Sequence, residues 1–444
     1  MTTPARSVSP VAKKKKHPFD AVSLLTIYLV ALYAFPSAGA IAAIGSVGRP
    51  STLIGLVCLA WWILATIQRR RPRLGPAQPV RIALAVFLII ALLSYAAAHA
   101  RGLPPGETTV TDSGLIRLAS FAGVALLTMD GIQSKERFLT LLQRVAIGGA
   151  ATATLGILQF ATGEQLLAGV ALPGFTSNGF GLEERGDLIR ASAMAAHPLE
   201  YAAVLGCALP LALNRALFVS TATAAVRWYS SAAILVASLF AVSRSAVLSV
   251  VLGVAFLFPS WPKKTRGYLM IAAVFLLGVV YVLVPGMFGT LRSLFAGSDA
   301  STNSRLHSWG PALEIWSAHP FIGRGFGTLL PRYRILDNAY LGLLVELGVL
   351  GLAAFVALVV AAFVVSLRAS RRTADVALRT QTRALTASLS VAALLVALFD
   401  AFSFTMAAGT LALIVGLCGA SSVVCATSRP ASKDTNHGGT VPTS

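Results

Sequence analysis

From Phe19 almost to Ala426 the chain is a succession of about twelve apolar runs, most of them close to 20 residues long and nearly free of charge. Twenty residues of helix rise about 30 Å, the thickness of a bilayer's hydrocarbon core. In lipid a backbone must satisfy its own hydrogen bonds, which long continuous runs do as helices, whereas barrel strands would read as short alternating segments. The expected fold is an all-α integral membrane protein with about twelve transmembrane helices. Spans are expected near 20–40, 51–68, 80–99, 114–130, 138–160, 197–214, 228–243, 245–260, 267–288, 339–366, 383–403 and 405–426. A soluble globule is excluded, because only 12% of the residues are charged, about half the fraction such a domain carries.

The net charge of +19 would suggest nucleic acid in a soluble protein, but here it follows the positive-inside rule. With a cytoplasmic N-terminus, the inner segments hold Lys13 to Lys16, Arg69 to Arg73, Lys135, Arg137, Arg215, Arg227, Lys263 to Arg266 and Arg368 to Arg383, most of the 36 basic residues. The reading is a multi-pass protein of the cytoplasmic (inner) membrane with both termini cytoplasmic, whose partner is the bilayer and not nucleic acid. Residues 1–17 and 428–444 are polar, Ser/Thr/Pro/Lys-rich tails expected to be disordered, and 18–427 form the membrane domain. The first run ends near Ser37-Ala38-Gly39-Ala40, a faint likeness to a signal cleavage site that is read as an uncleaved first span. Cys58, Cys207, Cys418 and Cys425 lie in apolar runs as small hydrophobes, so neither a disulfide nor a zinc site is expected.

Two outer segments are long enough to shape a site, about 161–196 and the larger 289–338. In the second, Leu313-Glu314-Ile315-Trp316 after Pro311 predicts a short amphipathic helix, and Gly323, Gly325 and Gly327 then break any helix and admit close backbone approach. Between two apolar runs, Ser243-Arg244-Ser245 forms a tight outer turn. Arg190, Arg244, Arg305, Arg324, Arg332 and Arg334 all fall on this side. Guanidinium groups grip phosphate oxygens bidentately and stabilise charge on a departing phosphate; the competing reading is snorkelling to lipid head groups.

Asp337 stands at the mouth of the tenth run, where a carboxylate can accept a hydroxyl proton. Equally, Asp337 or Asn338 serves as the helix cap. Glu346 and Asp400 are acids inside or at the end of apolar runs, functional candidates by default, with a bond to a neighbouring helix the alternative for Glu346 and an outer-surface position for Asp400. His197 and His319 each precede proline, where a turn role competes with a ligand role, and His307 lies beside Arg305. No Asp-Xaa-Asp on an outer loop, His pair at helical spacing or P-loop is present, so the expectation is no metal and no cofactor.

The order and spacing of several short motifs resemble the bacterial O-antigen ligase and polymerase superfamily. These are Ser243-Arg244-Ser245, Arg305 followed by Trp309, Arg190 upstream of Ala196-His197-Pro198, and the stretch from Pro320 through the glycines to Asp337-Asn338-Ala339-Tyr340-Leu341 and Glu346-Leu347-Gly348. The resemblance covers roughly residues 180–355, and where the family commonly carries His this chain has Asp337. It implies a GT-C-like membrane glycosyltransferase with a large outer loop carrying short helices. The implied donor is a polyprenyl diphosphate-linked glycan, and the acceptor is a hydroxyl of a glycolipid, glycan or protein. Asp337, Arg244 and Arg305 would be catalytic. Arg190, His197, His307, Trp309, Arg324, Arg332, Arg334, Asn338 and Tyr340 would bind the diphosphate or the glycan. A repeat-unit polymerase shares these motifs, and a lipid-linked sugar flippase is the rival from another class.

Overall fold

The computed structural model describes residues 19–68, 78–104, 106–166, 174–176, 183–185, 188–219, 223–283, 307–330, 333 and 336–427. A helix lies in each of the twelve apolar runs, although 20–40 is helical only over Ala21–Tyr33, the helix expected at 383–403 runs from Val376 to Val396, and residues 284–288 of the ninth run lie outside the described residues. In chain order the helices are α1 (Ala21–Tyr33), α2 (Pro50–Ile67), α3 (Pro79–Ala100), α4 (Glu107–Gly131), α5 (Lys135–Thr162), α6 (Pro198–Phe218), α7 (Ala224–Phe240), α8 (Arg244–Leu257) and α9 (Lys263–Leu283). After the short α10 (Trp309–Ser317), the amphipathic helix expected beside Pro311, come α11 (Ala339–Arg372), α12 (Val376–Val396) and α13 (Thr405–Thr427). Among the described residues, seven helices are long and apolar enough to cross a membrane: α2 to α6, α11 and α13. The chain is a multi-pass membrane protein.

The helices approach closely because small residues face each other, the usual device where lipid removes the hydrophobic drive between helices. Gly55 of α2 and Gly123 of α4 leave no room for a side chain between them, Gly149 of α5 meets Ala208 of α6, and Gly206 of α6 meets Ser249 of α8. At the centre, α6 and α13 are buried nearly all round. At one end of the bundle, charged pairs join helix ends: Arg81 to Asp130 at 3.2 Å, Arg137 Nε to Asp20 at 2.6 Å, and Lys135 to Asp375.

The other end carries irregular structure. A two-residue strand β1 (Ala40–Ile41) pairs antiparallel with β2 (Phe175–Thr176), and β3 (Glu183–Arg185) pairs antiparallel with β4 (Leu188–Arg190). Glu200, fully buried in the first turn of α6, fastens this end. Its carboxylate accepts from Ser37 Oγ at 2.6 Å, from the Ala196 N–H at 2.9 Å and from the Met406 N–H at 2.6 Å, joining α1's exit, α6 and the start of α13.

A break in α11 shapes the same end. Gly348 has φ 68° and ψ −172° inside the helix, which frees backbone groups, and residues 320–325 fill them. The Val349 N–H donates to Pro320 O at 2.9 Å and the Leu350 N–H to Phe321 O at 3.2 Å; in return the Arg324 and Gly325 N–H groups donate to Val345 O and Glu346 O. A side chain at Gly323 or Gly348 would collide with the opposing backbone, so both glycines are required by this docking.

Candidate functional site

A cavity of about 550 Å³ opens where α4, α6, α11 and the α12–α13 connection meet the glycine loop. Its wall carries five titratable side chains from separate parts of the chain: Arg117, His197, Asp337, Glu346 and Asp400. Phe326, Phe399, Phe402 and Phe404, with leucines such as Leu336 and Leu343, supply much of the apolar remainder.

Asp337 reaches this wall because a neighbour takes over the capping task. Asn338 is the N-cap of α11, its Oδ1 accepting from the Tyr340 and Leu341 N–H groups at 3.0 and 3.2 Å. The two readings of the Asp337-Asn338 pair are thereby divided: Asn338 caps, and Asp337 faces the cavity. Tyr340 turns away from it, donating its hydroxyl to Ala393 O of α12 at 3.1 Å.

His197 is the N-cap of α6, its Nδ1 accepting from the Leu199 N–H at 3.0 Å. That bond assigns the neutral ring's proton to Nε2, which faces Glu183 Oε1 at 3.2 Å. Burial lowers the His197 pKa below the usual imidazole value and outweighs the opposing pull of Glu183. Glu183 also accepts from Arg190 Nη1 at 2.7 Å, and Arg190 Nε donates to Ala241 O at 3.3 Å. Arg190 is thus a largely buried, charge-compensated tie between the β3–β4 hairpin and the turn from α7 to α8.

Arg244 is the first residue of α8, directly after that turn. The turn is strained: Val242, a β-branched residue, sits at φ 41°, a region such side chains avoid. The contacts from Ala241 through Arg190 and Glu183 to His197 tie the turn of Arg244 to the cavity rim, although Arg244 is not part of the cavity wall. Trp309, the first residue of α10, and His307, just before it, are exposed. Arg305, Arg332 and Arg334 lie outside the described residues.

Arg324 occupies a second cavity of about 400 Å³, with Arg101, His319 and Glu107. Its Nη2 donates to Glu107 Oε1 at 2.9 Å, and its guanidinium lies 4.9 Å from the Tyr333 ring centre. Burial, reinforced by Arg101 and Arg324, lowers the His319 pKa.

Glu346 accepts from the Leu329 N–H at 3.1 Å and so anchors the glycine loop, while its side chain forms part of the cavity wall. Asp400 accepts from Ser403 Oγ, and burial raises its pKa.

Arg117 is the cavity residue that the sequence conceals. It sits roughly 15 Å along α4 from Glu107 at 1.5 Å per residue, inside what reads as one apolar run. Its buried Nε has no partner, and no hydrogen bond or ion pair joins its side chain to a described residue. A buried donor left without a partner costs about 1–3 kcal/mol. The signal available in the sequence was a lone arginine in the interior of a hydrophobic span.

Fold and site together define a multi-pass helical membrane protein with a charged, partly aromatic-lined cavity at one end of the bundle. Residues 229–356, from α7 through the break in α11, match the family model described as O-antigen ligase. The match supports a likeness of this stretch to the O-antigen ligase and polymerase superfamily. Arg244, Asp337 and Glu346 lie within the matched residues; Arg117, His197 and Asp400 lie outside them. A comparison with curated proteins gives no match.

Proposed function

We propose that the protein transfers a glycan from a polyprenyl diphosphate carrier to an acceptor hydroxyl at the outer face of the cytoplasmic membrane, in the manner of an O-antigen ligase. The observation that carries this reading is the 550 Å³ cavity with Asp337 on its wall, built in part from the residues that match the O-antigen ligase family. The acceptor oxygen attacks the anomeric carbon as its proton passes to Asp337. The bond from that carbon to the diphosphate oxygen breaks, the electron pair leaves with the polyprenyl diphosphate, and configuration inverts. Arg244, from the rim, and Arg305 stabilise the departing diphosphate, without a metal. The aliphatic carrier lies in a groove between helices open to lipid. With twelve crossings and cytoplasmic termini, the charged helix ends at Asp20, Arg81 and Lys135 face the cytoplasm, and the cavity faces outward.

The test is Asp337→Asn, which keeps shape and removes the proton acceptor. General-base catalysis contributes about 10²- to 10⁴-fold, so turnover falls by roughly that factor while undecaprenyl diphosphate binding stays as in wild type. Wild-type turnover in a folded Asp337→Asn variant contradicts the assignment. The same motifs serve a repeat-unit polymerase, and the two are separated by the acceptor: a polymerase extends a carrier-linked glycan of the same repeat, whereas a ligase does not.

A further inference from the structure

Arg117 has a second arginine behind it. Arg49, the residue before α2, donates through Nη1 to Thr405 Oγ1 and leaves its own buried Nε without a partner. Thr405 also lines a small cavity of about 30 Å³ beside Arg117, together with Ser51, Thr52 and Ser120, and Arg117 and Phe402 are shared between its wall and that of the large cavity. Burial, and then the charge of Arg117, disfavour the Arg49 cation, with Glu200 opposing them; each of the two guanidinium groups keeps a buried Nε without a partner, a donor that an anion on the cavity side of Arg117 would satisfy. Glu346 and Asp400 attract Arg117 from across the large cavity without contacting it, so the guanidinium is free to meet a ligand. Snorkelling does not account for it, because Arg117 faces an internal wall and not lipid.

We propose that Arg117, backed by Arg49, is an inner anion subsite of the large cavity that takes phosphate oxygens of a polyprenyl diphosphate. This rests on the donor class proposed above and adds a grip from the cavity floor to that of Arg244 at the rim. Neither Arg49 nor Arg117 belongs to the stretch that matches the family.

The full chain in nanodiscs of neutral phosphatidylcholine, titrated with undecaprenyl diphosphate, provides the test. Arg117→Gln binds at least tenfold more weakly than wild type, and Arg81→Gln, at the opposite end of the bundle, binds as wild type does. If wild type does not bind undecaprenyl diphosphate, the donor reading itself fails. If wild type and Arg117→Gln bind equally, the subsite is wrong and the donor reading stands. Phosphatidylglycerol that displaces the probe at equal concentration would overturn the subsite by reassigning it to bulk lipid. Should Arg117→Gln not fold, a photoreactive diphosphate analogue on the unmodified protein decides: crosslinks are expected in α4 or residues 402–409, and crosslinks confined to α8 overturn the proposal.

Discussion

Glu200 and His197 show how single residues hold the cavity's rim. Glu200 is buried and accepts from three donors on three parts of the chain; Glu200→Ala leaves the Met406 N–H unpaired, at about 1–3 kcal/mol, and removes the carboxylate that ties Ser37 and Ala196 to it, although the Ala196 N–H keeps Ser37 Oγ at 2.8 Å. Its unfolding midpoint in detergent should fall by several degrees, which a thermal scan reads. His197 has a folded pKa below its unfolded value of about 6.5, so the unfolded chain takes up a proton first. Stability is therefore present above pH 6.5 and is lost as pH falls from there through the lower folded value. His197→Asn keeps a cap acceptor but cannot titrate. Between pH 7.5 and 5 the wild type should lose more thermal stability than this variant; equal losses would contradict the neutral capping role.

At the scale of elements, the docking of the glycine loop on the broken helix α11 places Asp337, Glu346 and Phe326 around one space. Gly323→Ala and Gly348→Ala both force a side chain into opposing backbone and into positive φ, a strain of about 1–3 kcal/mol before any clash. Both should lower thermal stability and transfer, whereas Gly310→Ala in α10, with open space around it, should lower neither. The helices themselves were legible in the sequence, because lipid leaves the backbone no other way to satisfy itself. So was α10, whereas the sequence left the cap open between Asp337 and Asn338 and only the bonds to Asn338 Oδ1 decide it. The break at Gly348 was not, since a glycine in an apolar run is ordinary until a second strand of backbone is seen docked against it. Arg117 was equally hidden: its significance comes from Glu346 and Asp400, more than 200 positions away in the chain.

For the whole molecule, the distribution of basic residues predicts that α10 and the end of α11 lie on opposite sides of the membrane. The four native cysteines are buried, so single cysteines at Ser317 and Ala374, both exposed, report cleanly. Ser317→Cys should label from outside sealed cells and Ala374→Cys only after permeabilisation; labelling of both from one side would overturn the orientation. The central claim is chemical, that this bundle forms a glycosidic bond and does not merely move a lipid. Purified protein in detergent, supplied with an undecaprenyl diphosphate-linked glycan, an acceptor panel of glycolipids, glycans and proteins, and EDTA, tests it most directly. The account predicts a new glycosylated product and stoichiometric release of undecaprenyl diphosphate. Carrier movement in sealed vesicles with no product in detergent would contradict it.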